Sequence, residues 1–156
     1  MTKIAVLTGL AVAVVACGGG GEKKASDSTS VSVATPAQTP GAAAGATHDV
    51  NMVMEGTTYK FVPADLSIKA GDKVVFHNVS GGPHNVSFWT DSIPAGGKEV
   101  IEPQMPDAIG PLQSALLVDP NATVTLSFAN APAGTYKMYC TPHLPMGMKG
   151  SITVTK

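Results

Sequence analysis

Arginine is absent. All ten basic side chains among the 156 residues are lysines, so the chain has no planar fork with which to grip a phosphate through two parallel hydrogen bonds. It also lacks a twin-arginine export signal. Charge of either sign is scarce, at 13% of residues and a net of −1, which leaves no electrostatic footprint for nucleic acid. Cysteine occurs only twice, at Cys17 and Cys140. The two could in principle be bridged, but their surroundings point to unrelated roles. A c-type haem would need Cys-x-x-Cys-His, which is missing. No Ser-His-Asp or paired-carboxylate grouping is visible, so the expectation is a protein that is not an enzyme. No convincing amphipathic helix appears either.

What is present begins with an address. Residues 1–16 read MTKIAVLTGLAVAVVA, a short start with Lys3 and then an apolar run from Ile4 to Ala16. That run is shorter than the roughly 17–25 residues a membrane-spanning helix needs, and it fits the apolar core of a secretory signal peptide. The junction VVAC resembles the lipobox of bacterial lipoproteins, in which the cysteine is acylated and becomes the new N-terminus; the resemblance implies lipidation at Cys17. Several acyl chains on one residue give stable anchoring, where a single chain binds only marginally. Gly18, rather than Asp, after the cysteine resembles the outer-membrane sorting pattern of a host with two membranes. Removing residues 1–16 takes away only Lys3, leaving nine positive against eleven negative side chains.

Residues 17–48 are small, polar and rich in Gly and Pro, with no aromatic side chain. Such a segment cannot bury enough apolar surface to offset its ordering entropy, so it reads as a flexible linker. His48, at its end, reads as a solvated terminal residue. From residue 49 to 156 the texture changes to short β-type runs. VNMVM, YKFVP, DLSIKAGDKVVFHNVS, HNVSFW, ATVTLSFAN, GTYKMYC and GSITVTK all fit strands, and KAGDK, SGGP, PAGG, VDPNA and APAGT mark the breaks. Val124, Leu126 and Phe128 alternate onto one face. PDAIGPLQSALL has room for one short turn of helix. Seven to eight strands in this length read as an all-β, Greek-key β-sandwich.

The chemistry concentrates in MYCTPHLPMGMKG, residues 138–150. A strand runs into Cys140 and another leaves after Gly150. Pro142, Pro145 and Gly147 forbid continued pairing between them, so the segment is a loop at one end of the sandwich. It gathers Cys140, His143 and Met148. A further imidazole is available from His84 in GGPHN. One thiolate and two imidazoles in a plane, with a long axial thioether, describe a type 1 (blue) copper site; zinc prefers more thiolates or a closed tetrahedral set. Cys-x-x-His alone is weak evidence. A methionine eight residues after the cysteine and a Pro-His-Asn 56 residues before it (140 − 84) make it strong. Met146 lies six residues after Cys140 and reads as surface apolar rather than axial. His77 reads as an outward-facing strand histidine; Met52, Met54, Met105 and Met138 read as packing residues, and Trp89 as core or sandwich edge rather than a redox relay.

YCTPHLPMGMKGSITV and VVFHNVSGGPHNVSFWTDSIPAG are similar to the two ligand segments of cupredoxins of the plastocyanin, amicyanin and pseudoazurin group, with Thr141 where serine is usual. The likeness spans about residues 50–156. It implies the metal ligands His84, Cys140, His143 and Met148, and an Asn85 that braces the two ligand loops with its N–H on the thiolate sulfur. It also implies that Pro83 and Pro142 stiffen those loops. By the same resemblance His143 is an electron port ringed by Leu144, Pro145 and Met146, and Tyr139 offers a lateral route. In place of an acidic cluster near that tyrosine the chain has scattered Asp91, Glu99, Glu102 and Asp107.

Three functional readings follow. The first is a one-electron carrier cycling Cu(II) and Cu(I), anchored by lipid on the extracytoplasmic side of a bacterial membrane. It would exchange electrons as a monomer with c-type cytochromes or terminal oxidases and reductases. The second is a copper-binding or delivery protein with the same ligands. The third is a sandwich kept as an interaction module.

Overall fold

The computed structural model describes residues 45–156; the leader, Cys17 and residues 18–44 of the expected linker lie outside the described residues. Eight strands form two four-stranded sheets. In chain order they are β1 Thr47–Glu55, β2 Thr58–Val62, β3 Asp65–Lys69, β4 Lys73–Asn78, β5 Ser87–Phe88, β6 Thr123–Ser127, β7 Gly134–Tyr139 and β8 Lys149–Thr155. One sheet runs β2-β1-β4-β6 and the other β3-β8-β7-β5. β1 lies parallel to β4, and β3 parallel to β8, while the remaining neighbours are antiparallel.

Alternation fills the space between the sheets. Val74 and Phe76 of β4, Leu126 of β6 with Phe128 just beyond it, Tyr136 and Met138 of β7, and Ile152 and Val154 of β8 are all buried. Each contributes on the order of 1.5–3 kcal/mol by leaving water. Tyr136 sits at the centre, with Phe88 and Phe128 packed edge-to-face on its ring and its hydroxyl donating to Pro132 O at 2.8 Å. The β1–β2 hairpin turns through Gly56 at φ 61°, the positive-φ position that a two-residue hairpin loop requires.

Three expectations need correction. His48 is no solvated terminus: it lies within β1, paired to Val74, and its Nε2 meets Asp72 Oδ2 at 2.8 Å. The single turn of α-helix falls not in PDAIGPLQSALL but upstream, as α1 Gly97–Ile101 continuing into a 3-10 turn over Glu102–Gln104. Gly97 belongs there because a Cβ would stand 2.9 Å from the Tyr136 ring. Met54 is not a packing residue. It shares the parity of buried Val50 and Met52, but it lies at the end of β1 and is 40% exposed. Trp89 is half-buried at the edge, one of the two places expected for it.

Candidate metal centre

Cys140 follows directly on β7, His143 lies three residues on, and β8 begins after Met148. The connection is pinned rather than slack. Cys140 N–H donates to Met148 O at 3.2 Å, Met148 N–H to His143 O at 3.1 Å, and a 3-10 turn occupies Leu144–Met146. His84 arrives from the segment between β4 and β5. Its backbone exchanges both hydrogen bonds with Leu117, at 3.2 and 2.7 Å.

These two segments bring three donors together. His84 Nδ1 is 3.6 Å from Cys140 Sγ, His143 Nδ1 is 3.4 Å from the same sulfur, and the two nitrogens are 3.1 Å apart. An ion at roughly 2.0–2.3 Å from each donor asks for mutual separations of about 3.5–3.8 Å, so a metal enters with a shift of a few tenths of an ångström. No acid belongs to this cluster. The softness of the set, one sulfur with two imidazoles, suits copper.

The protonation pattern points the same way. His84 Nε2 stands 2.9 Å from Ser80 O. A carbonyl only accepts, so Nε2 carries the hydrogen and Nδ1 keeps its lone pair directed at the cluster. Burial pushes the His84 imidazole below its usual range, opposed by that carbonyl. Burial and then the neighbouring His84 do the same to His143. Burial pushes the Cys140 thiol up, against the backbone N–H groups of Asn85 and His143, which pull it down. A cation held at the centre would favour loss of the Cys140 thiol proton.

Asn85 spans the two ligand segments. Its backbone N–H points at Cys140 Sγ from 3.5 Å, its Oδ1 accepts from Thr141 N at 2.7 Å, and its Nδ2 donates to Ser87 Oγ, Ser114 O and Thr141 Oγ1. Met148 is fully buried, whereas Met146 is 49% exposed and Pro145 is exposed beside it. His143 shows only 6% of its surface.

Several contributors carry no signature in the sequence. Tyr59 of β2 stacks on the His143 ring, centroids 3.8 Å apart and planes 12° from parallel. Ser114 Oγ accepts from Val86 N–H at 3.0 Å, and Gln113 reaches Thr141. Both sit after Leu112, a fully buried leucine at φ 55°. That conformation is costly for leucine. It is held from both sides, by its N–H on Glu102 Oε1 and its carbonyl under Phe88 N–H. Gly81, at φ 75°, leaves room for Met54, whose Cβ would lie 2.3 Å from any Cβ there.

A buried sulfur and two imidazoles at one end of a two-sheet sandwich define a copper-binding β-sandwich domain. Residues 47–155 match the copper-binding proteins of the plastocyanin/azurin family, and the chain belongs to that family. It is 42% identical over 94 residues to plastocyanin of Solanum crispum, covering 60% of this chain and 86% of that protein. It is 43% identical over 94 residues to chloroplastic plastocyanin of Silene latifolia subsp. alba, covering 60% of this chain but only 52% of that longer protein. The oxidized form of plastocyanin from Dryopteris crassirhizoma superposes with a TM-score of 0.51 at 31% identity, over 69% of this chain and 99% of that one.

Proposed function

We propose that the domain is a one-electron carrier whose copper would be held by His84, Cys140, His143 and Met148. The observation that carries this reading is the convergence of two imidazole Nδ1 atoms on one buried thiol sulfur. Copper bound there supplies the redox chemistry, gaining and losing one electron. The chain does the rest. The Ser80 carbonyl holds His84 in the tautomer that offers Nδ1, and Asn85 N–H partly balances the charge on the sulfur. Buried Met148 and Asn85 keep water away from the sulfur, so little has to rearrange when an electron passes. His143, under Tyr59 and beside Leu144, Pro145 and Met146, is the port. An apolar rim of this kind suits brief docking, and c-type cytochromes or terminal oxidases and reductases are the partners of fitting chemistry.

The same proposal places the monomeric domain outside the cytoplasm, lipid-anchored at Cys17 to a bacterial membrane, on the lipobox-like VVAC and the linker behind it. A mature N-terminus other than Cys17 by mass spectrometry would remove the anchor.

Cu(II) added to the protein is expected to give an intense blue absorption that ascorbate bleaches and a mild oxidant restores through repeated cycles. Cys140→Ser should abolish the colour while circular dichroism keeps its β-sheet signature. Tight, colourless Cu(I) binding with ready release would instead mark a delivery protein and overturn the proposal.

A further inference from the structure

Glu102 touches none of the four residues assigned to the metal, yet it holds a residue on which their support turns. It opens the 3-10 turn that continues α1. That short unit is fastened to the fold independently of the metal centre. The Gln104 carboxamide accepts from Ser127 N–H at 2.7 Å and donates to Ser127 O at 2.9 Å, both on β6, and Gly97 lets α1 lie against Tyr136. From this seat Glu102 Oε1 accepts from Leu112 N–H at 3.2 Å, while Oε2 meets the Lys98 ammonium one helical turn back.

Leu112 depends on that acceptor. It lies outside the eight strands at φ 55°, a backbone that leucine keeps only where its surroundings impose it. The segment after it runs beside Asn85–Phe88 as a strand would. Leu112 O accepts from Phe88 N–H at 3.0 Å, Ser114 N–H donates to Val86 O at 2.9 Å, and Ser114 Oγ accepts from Val86 N–H at 3.0 Å. The Ser114 carbonyl takes Asn85 Nδ2 at 3.2 Å, and the Asn85 N–H faces Cys140 Sγ from 3.5 Å. Turning Leu112 to negative φ would swing Gln113 and Ser114 off this pairing. Asn85, Val86 and Ser114 are buried, so no solvent stands ready to replace a lost partner.

Resting on the electron-carrier reading, we propose that Glu102 is a positioning residue for it: by bonding Leu112 N–H it fixes Asn85 against the Cys140 sulfur and so raises the reduction potential of copper bound there. The direction follows from the sulfur. An N–H aimed at a thiolate withdraws electron density from it, which favours the reduced ion. A displaced Asn85 leaves more charge on the sulfur and favours Cu(II).

The test compares three variants of the mature protein. In the metal-free chain, amide hydrogen exchange followed by NMR should be about tenfold faster at Val86 and Thr141 in E102A, while the amides of the β3–β8 pairing keep their native rates. E102Q retains an acceptor oxygen on the same stem, and K98A removes only the ion pair, which is partly exposed and contributes little; both should exchange as the native protein does. In the copper-loaded protein, E102A should lower the ratio of Cu(I) to Cu(II) affinity about tenfold, a fall of about 59 mV for a one-electron couple, with E102Q and K98A at the native potential. Native exchange at Val86 and Thr141 in E102A, an unchanged or raised potential there, or an equal fall in K98A would overturn the proposal. Exchange is read without copper, so a chain that never turns blue would sink the electron-carrier reading while exchange still decides whether Glu102 positions Asn85.

Discussion

The four histidines divide into two pairs by what stands opposite the ring. His48 meets Asp72 and His77 meets Asp49, each at 2.8 Å and each in the β1–β4 half of the domain. Among the described residues no carboxylate faces His84 or His143; they face a sulfur, and each other, at 3.1–3.6 Å. A ring nitrogen engaged by a carboxylate is not free for a metal. Burial, with no acid alongside, holds the His84 and His143 imidazoles below their usual range and leaves their nitrogens open to a metal. Residue type alone therefore assigns neither role.

Copper itself offers the strongest way to break this division. An ion that binds only the folded chain stabilises it by about 4 kcal/mol when present at a thousand times its dissociation constant. Melting with and without Cu(II) should show such an increment in the native protein and in His48→Gln, and none in His84→Gln. Equal increments in both variants would mean that the carboxylate-free pair is not the site.

A smaller effect lies at the opposite pair. Asp72 is nearly buried and accepts from Lys69 N, Ala46 N and His48 Nε2. The Lys69 N–H, and then His48, hold its carboxyl below the usual range against the opposing pull of burial. The folded carboxyl thus titrates below the unfolded one. Its stabilisation is complete above the unfolded value of about 3.9 and drains away as pH falls through the lower folded value. Asp72→Asn should lower the melting temperature at neutral pH and flatten the acid limb of the stability curve, with the copper increment intact. An acid limb unchanged from the native protein would remove Asp72 from this role.

The least effect belongs to the exposed pair. Asp49 has 68% of its side chain in solvent, where such pairs contribute little. Asp49→Asn should leave both the melting temperature and the copper increment within experimental error. A clear loss would show that His77–Asp49 does more than decorate the sheet.

What the sequence disclosed follows from range. The strands rest on alternation, a local signal, and Cys140 and His143 lie three residues apart in one loop, so their convergence is legible from spacing. His84 lies farther off but has few rivals of its kind. Tyr59 carries no such mark, because in TTYKF it is an ordinary strand tyrosine, and only the packing of β2 brings it over His143. α1 was hidden by the Gly96–Gly97 pair, which reads as a turn until Tyr136 is seen to need the space. The support from Gln113 and Ser114 was illegible because it hangs on Leu112 adopting a backbone that leucine seldom takes. His48 was misplaced because its partner, Asp72, lies across a sheet.

The hydrogen bond from His84 to Ser80 has a consequence for how the protein acquires its metal. The Ser80 carbonyl turns the His84 Nδ1 lone pair toward Cys140 and His143 whichever ion arrives, so the seat admits a counterfeit. Among common divalent ions copper binds such a site most strongly, with zinc next to it in the series. A zinc ion that arrives first would find the same three donors already in place, and the fold would give no sign of the error. The authenticity of the finished protein is then decided by which ion its compartment supplies.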